Sequence, residues 1–391
     1  MWVSIPCFGF TQNSTSSKQE QIMQTFLHTV LQHKESDVTA LSMVAQCKNN
    51  PPIIVYSGFT SSNNEKSINK NSLFPIASIT KSFISIVILQ LAEEYHLNLN
   101  SKETLKKYFP EYPKWWGITV RQLLQMTSGI VGTATGSPDD IFKKMTAHEY
   151  ENYISPTEIL NRVYQLPLHF KPGTQWEYSN TNYILLGMLI EKITNHSAID
   201  EIQKRIINPL GLHHTYFPSD KLQSVPGINQ SEIVHGYISF PKGHEPYSFM
   251  KFGQDTTHYS FSEPSFGGGI VSTPKDINVY LHALYQSKKL LTQSQLNEFL
   301  TLISKKDGKP FFSEKSPDDF GFGFGVFGYY SKLLDSIVYF YQGSLDGYQF
   351  YYFYNPKTQQ YLIYGVNTRS FDVVGKENSL PLNDALNEQC K

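Results

Sequence analysis

Ser78 and Lys81 stand at the head of the most apolar stretch of the chain, Phe74 to Glu93. A spacing of three on a helix puts both side chains on one face, about one turn apart. A lysine near the first turn of a buried helix is unfavourable unless its amine has partners or work. Beside a serine hydroxyl and shielded from water, such an amine loses its proton more readily and can accept the hydroxyl's. The pair therefore reads as an activated nucleophile. The spacing alone carries little, since Ser-x-x-Lys recurs at Ser67/Lys70, Ser239/Lys242, Ser248/Lys251 and Ser272/Lys275. Only Ser78/Lys81 opens a long apolar helix.

Two further segments can contribute to one cleft. Tyr178-Ser179-Asn180 follows the Pro172-Gly173 turn and precedes an apolar helix. A phenol there can shuttle a proton when neighbouring cations help it ionise, and an amide two residues on can orient a carbonyl. A packed loop tyrosine is the plainer explanation of Tyr178 taken singly, and Tyr150/Asn152 repeats the pattern in a polar segment. Tyr341-Gln342-Gly343-Ser344 closes a strand before the Leu345-Asp346-Gly347 turn. Gly343 removes a side chain and lets a substrate lie against the strand edge. The backbone N–H of Ser344 can then join that of Ser78 as an oxyanion hole. Taken singly, this too is an ordinary strand-end glycine before a hairpin.

The elements that must position these groups follow from periodicity. Gln19 to His33 carries a helical apolar stripe, and Val38–Cys47 and Ile53–Phe59 read as an antiparallel pair across Lys48–Pro52. The Ser78 helix is apolar nearly all round, which places it inside a large domain. Short helices are predicted over Thr119–Met126, Thr157–Gln165 and Asn182–Thr194, and another ends at Asn208–Leu212. A helix from Pro274 to Tyr285 starts with proline at its first position. The last quarter reads as strands at Gly321–Tyr330, Ser336–Tyr341, Gly347–Tyr354 and Gln360–Val366. The expected fold class is α+β, with one antiparallel sheet flanked by helices. Sheet elements come from about residues 19–95 and 266–370, and a mostly helical subdomain is inserted at about 96–265. Residues 1–18 are expected to be a flexible segment, either the remnant of a signal peptide or a loose tail.

Composition narrows the function classes. A formal net charge of -1 over 391 residues gives no basic field for nucleic acid or an anionic membrane. The apolar run Phe83–Leu91 is too short to span a bilayer. Three cysteines, Cys7, Cys47 and Cys390, are too scattered for a disulfide framework and read as free thiols. The 12 histidines match no metal-ligand spacing, and no cofactor is implied. The substrate is expected to be a small molecule or peptide. An α/β-hydrolase is disfavoured, because the chain has no G-x-S-x-G elbow and no strand–helix alternation.

In order and spacing, Phe74–Ser85, Leu123–Gly129, Lys171–Ile190, Gly267–Asp276 and Tyr341–Ser344 resemble the penicillin-recognising serine hydrolases. These comprise serine β-lactamases of the class C type, DD-carboxypeptidases and related esterases. The resemblance runs from Gln19 to Arg369 and implies a β-lactamase/transpeptidase-like fold. It implies Ser78 as the acylated nucleophile, Lys81 as its amine partner, and Tyr178 as general base and later acid. Asn180 would hold substrate and Lys81, and Ser344 would supply the second oxyanion N–H. Asn367 would be a substrate-side amide. The implied function is a serine hydrolase acting through an acyl-enzyme on an ester or amide, such as a D-Ala peptide, a β-lactam-like compound or an ester. The implied compartment is periplasmic or secreted, with the cytoplasm as alternative. Two residues depart from the pattern. Tyr341 stands where relatives have Lys or His, and Met126 where many have His. Without a cation at 341, a substrate carboxylate loses a contact of about 1.5–3 kcal/mol. That tilts the expectation away from an efficient β-lactamase. The rival reading is a β-lactamase-like scaffold that has lost catalysis and serves binding or assembly.

Overall fold

A computed structural model describes residues 17–32, 38–63, 66–133, 146–147, 151–239, 247, 249–261, 265–306, 308–309, 320–368, 382–383, 385–387 and 389–390. Of the expected flexible segment 1–18, only the last two residues fall among these.

Helix α1 (Lys18–Gln32) buries Met23, Leu27 and Val30, the stripe its periodicity predicts. Strands β1 (Ala40–Cys47) and β2 (Ile53–Gly58) pair antiparallel. Strand β3 (Phe74–Pro75) leads through a 3₁₀ turn, Ala77–Ile79, into α2 (Thr80–Glu94). Helices α3 (Val120–Leu124), α4 (Pro156–Tyr164) and α5 (Asn180–Thr194) follow. Thr119 and Gln122 close α3 with a capping box, and Ser155 caps α4 through the Glu158 N–H. Strand β4 (Val271–Ser272) pairs with β3 and precedes α6 (Pro274–Tyr285) and α7 (Gln293–Phe299). The chain then runs through β5 (Ile303–Ser304), β6 (Phe320–Phe322), β7 (Phe327–Ser331), β8 (Ser336–Leu345), β9 (Tyr348–Asn355) and β10 (Gln360–Val366).

The main sheet has the order β2-β1-β10-β9-β8-β7-β6-β5. The first and last strands of the sequence thus pair directly, with β2 at the edge outside them: Leu41 to Cys47 of β1 pair with Val366 to Gln360 of β10. Every named strand lies outside residues 96–265. All eight residues of β9 are buried. Phe350, Tyr352 and Tyr354 face the large core around α2, while Tyr351 and Phe353 face a second core under α1. Helices thus cover both faces, which is why the strand lacks polar alternation.

Two expectations are corrected. The single strand expected over Gly321–Tyr330 is a hairpin, turned at 323–326, where Gly325 has φ +79°. A Cβ on Gly325 would sit 2.9 Å from the backbone of Lys81 and Ser82, so this turn presses on the first turn of α2. Two of the three cysteines expected to be free are not: Cys47, at the end of β1, is bonded to Cys390, 343 residues away, with Cα atoms 5.6 Å apart, while Cys7 lies outside the described residues. Spacing in the sequence gives no sign of a pair that only the folded chain brings together. Unfolded, unreduced protein is therefore expected to titrate one thiol per chain, Cys7, and three after reduction. Reduction should lower the unfolding free energy by about 2–4 kcal/mol.

Candidate active site

Ser78 lies in the 3₁₀ turn and is partly exposed, while every other residue from Ser72 to Leu89 is buried. The preceding Ala77 has φ +47°, a left-handed conformation that disfavours a residue with a Cβ. The turn is pressed on by β8: a Cβ on Gly343 would fall 2.1 Å from the carbonyl oxygen of Ile76 and 3.1 Å from the Ala77 methyl. Gly343 was expected to leave room for substrate. That room is filled by the turn that carries Ser78, so this glycine serves the approach of strand to turn.

Lys81 is fully buried in α2. Its Nζ donates to Ser78 Oγ at 3.0 Å, to Asn180 Oδ1 at 2.8 Å and to the carbonyl of Gly267 at 2.5 Å. Three acceptors match the three N–H bonds of an ammonium. The amine also lies 4.9 Å from the centre of the Tyr178 ring. Tyr178 donates from its hydroxyl to Ser78 Oγ at 2.8 Å. An amine and a phenol thus converge on one serine oxygen, and the fold brings Ser78, Lys81, Tyr178 and Asn180 together.

Met126 accounts for the placement of Tyr178. Its carbonyl accepts the Glu177 N–H at 3.0 Å and its sulfur accepts the Ser179 N–H at 3.3 Å. The residues on either side of Tyr178 are therefore both tied to Met126, itself buried with φ +62°. Ser179 Oγ and Thr181 Oγ1 both bond to the Val131 carbonyl, fixing the start of α5.

Tyr341 lies deep in the core and is 1% exposed. Its hydroxyl is 3.2 Å from that of Tyr178. Burial, and then the neighbouring Tyr178, push its phenol well above the usual tyrosine range, so it is uncharged. Ser344 lies farther along β8, opposite Gln349. The β7–β8 register stops at Phe327↔Phe340, so Tyr341 to Leu345 run on without a β7 partner. That overhang begins beside the Tyr178 hydroxyl.

Asn367 is not a substrate-side amide. Its Oδ1 accepts the N–H groups of Thr39 and Ala40, and its Nδ2 donates to Thr39 Oγ1 and the His235 carbonyl. With all four bonding positions used, it locks the end of β10 to the start of β1. The sequence reading missed Gly267, because a carbonyl acceptor has no side-chain signature. The run Gly267-Gly268-Gly269 was the available signal.

The Beta-lactamase family matches residues 39–384. The chain belongs to that family. Its fold is the β-lactamase/transpeptidase-like arrangement of an antiparallel sheet with helices, shared with penicillin-recognising serine hydrolases. Protein flp of Staphylococcus aureus is 35% identical over 156 residues, which are 39% of this chain and 29% of flp. Penicillin-binding protein 4* of Bacillus subtilis is 28% identical over 246 residues, 62% of this chain and 51% of that protein. The chain thus spans less than a third of the first relative and about half of the second. The D-amino acid amidase of Ochrobactrum anthropi SV3, solved with D-phenylalanine, superposes with a TM-score of 0.76 at 23% identity, covering 94% of this chain and 99% of that one. A D-stereospecific amidohydrolase from Streptomyces sp. gives 0.72 at 23%, covering 89% and 94%. At such identity the likeness is one of fold. Among the described residues no helix is long and apolar enough to cross a membrane.

Proposed function

We propose that this family member is a serine hydrolase that works through an acyl-enzyme on Ser78. The carrying observation is the convergence of Lys81 Nζ and Tyr178 OH on Ser78 Oγ, at 3.0 and 2.8 Å. In this reading Tyr178 acts as the anion, stabilised by the Lys81 ammonium, and takes the Ser78 proton as the serine oxygen bonds to the substrate carbonyl carbon. The N–H groups of Ser78 and Ser344 receive the oxyanion. Tyr178 then returns the proton to the departing amine or alcohol as its bond to the carbonyl carbon breaks. Water, deprotonated by the same tyrosine, hydrolyses the ester on Ser78.

The proposed substrate is an amide or ester with no carboxylate beside the scissile bond. Tyr341 supports this, because it places a neutral phenol where a cation would meet that carboxylate. The similarity of fold to a D-amino acid amidase and a D-stereospecific amidohydrolase supports amides of D-amino acids as the first class to try. We also place the protein outside the cytoplasm, a proposal supported by the Cys47–Cys390 bond, since such bonds persist in oxidising compartments.

The test is intact-mass measurement after incubation with a fluorophosphonate. One adduct per chain is expected, absent from Ser78→Ala. A panel of D-phenylalanine amide, p-nitrophenyl acetate, a D-Ala-D-Ala peptide and nitrocefin should show the first two turned over faster than the last two. No adduct, with wild type and Ser78→Ala equal on every substrate, would sink the enzyme in favour of a scaffold.

A further inference from the structure

The first residue of the Tyr341–Ser344 segment is a departure from its family that the reaction scheme leaves without a task. Its ring packs edge-on against the paired rings of Phe322 and Phe327, with centroids 6.3 and 5.1 Å away. Its only exit from that apolar wall is the hydroxyl, 3.2 Å from the Tyr178 oxygen, which is itself 2.8 Å from Ser78 Oγ. The separation of the two hydroxyls allows either to donate; with Tyr178 acting as the base toward Ser78, its oxygen accepts and Tyr341 is the donor.

We propose that Tyr341 is a positioning residue for catalysis: its hydroxyl donates to the Tyr178 oxygen and holds the negative charge there while Tyr178 exchanges a proton with Ser78. A buried neutral donor thus replaces the cation usual at this place in the family. The proposal rests on the acyl-enzyme reading given above. The titratable groups around the two phenols are few. Lys81 on α2 and Tyr183 on α5 face them from the helical side, and Tyr352 faces Tyr341 from β9. Phe322 and Phe327 close the side of β6 and β7, and the Lys305 amine lies 5.2 Å from the Phe327 ring centre. Tyr341 keeps its proton in this setting, because burial holds its phenol well above the ordinary range. It is therefore a donor throughout the working pH range.

The test compares full-length wild type, Tyr341→Phe, Tyr178→Phe and the double variant in kcat/KM for p-nitrophenyl acetate from about pH 5 to about pH 10. Tyr341→Phe removes one oxygen and keeps the ring. It is expected to lower kcat/KM at pH 7 by about 10–100-fold and to move the acid limb of the profile up by about one to two pH units. Most activity then returns at high pH. In the Tyr178→Phe background the same change should matter less than about threefold. On wild type alone, the limb should stay within about 0.3 unit between about 0.05 and 1 M salt, because a neutral buried donor is not screened. An unmoved limb in Tyr341→Phe, a uniform loss at all pH values, a full effect without Tyr178, or a salt-driven limb would each overturn the proposal. If wild type forms no Ser78 adduct, the acyl-enzyme reading falls and this proposal falls with it. If the adduct forms and the limb does not move, this proposal alone fails.

Discussion

Ser78→Ala, Lys81→Met and the variant carrying both changes are expected to fall to one common floor, about 10,000-fold or more below wild type in kcat. Groups that act as a unit are strongly non-additive, since the loss of one leaves the others nothing to act on. The geometry makes Ser78 and Lys81 such a unit. The lysine amine reaches the serine oxygen directly at 3.0 Å, and its other bonds, to Asn180 and the Gly267 carbonyl, hold it there. Methionine keeps most of the lysine volume in a site with no exposure. The single Lys81→Met protein should therefore fold and still carry a serine hydroxyl, but label with fluorophosphonate at least about 1,000-fold more slowly. Steady-state rates on the best amide or ester, with labelling followed by intact mass, give the comparison. Independent, multiplying losses in the double variant would show that the amine acts elsewhere than on Ser78.

Gly343→Ala is expected to lose about 1–3 kcal/mol of stability and about 100-fold in the labelling rate of Ser78, whatever the size of the reagent. The new methyl would sit 2.1 Å from the Ile76 carbonyl oxygen, closer than any carbon contact tolerates. Either β8 retreats or the turn that carries Ala77 and Ser78 is pushed. Ala77 already holds a left-handed backbone at φ +47°, so the turn has little freedom to yield without moving Ser78. If the glycine merely cleared space for substrate, small esters would be unaffected and only bulky ones would suffer in KM. Denaturation midpoints and labelling rates with a small and a large fluorophosphonate separate the two cases. Normal stability with a size-dependent loss would restore the substrate role.

What the sequence reading reached was local chemistry and local order. The stripe of α1 and the first-turn proline of α6 are written in neighbouring residues, and each of these helices formed within a few positions of its expected bounds. The pairing of β1 with β2 and the late meander followed from the same short-range pattern. The site residues Ser78, Lys81, Tyr178 and Asn180 were legible because motif order in a shared family encodes their meeting. Where local pattern misled, the cause was long-range contact. The run Gly321–Tyr330 looked like one strand, and it breaks into a hairpin at 323–326, where Gly325 packs against the first turn of α2.

The sequence by itself determined that Ser78, Lys81, Tyr178 and Asn180 would be brought together, and the combined sheet-and-helix class that carries them. Tertiary structure alone decided that Cys47 meets Cys390, that Asn367 is an internal lock, that the Gly267 carbonyl holds the lysine, and that the Tyr341 hydroxyl faces Tyr178. Each of those contacts joins segments well over a hundred residues apart through a backbone atom or an unremarkable side chain. Periodicity and capping act over a few residues, whereas such contacts exist only once the assembled sheet has set the register of β8 and β10.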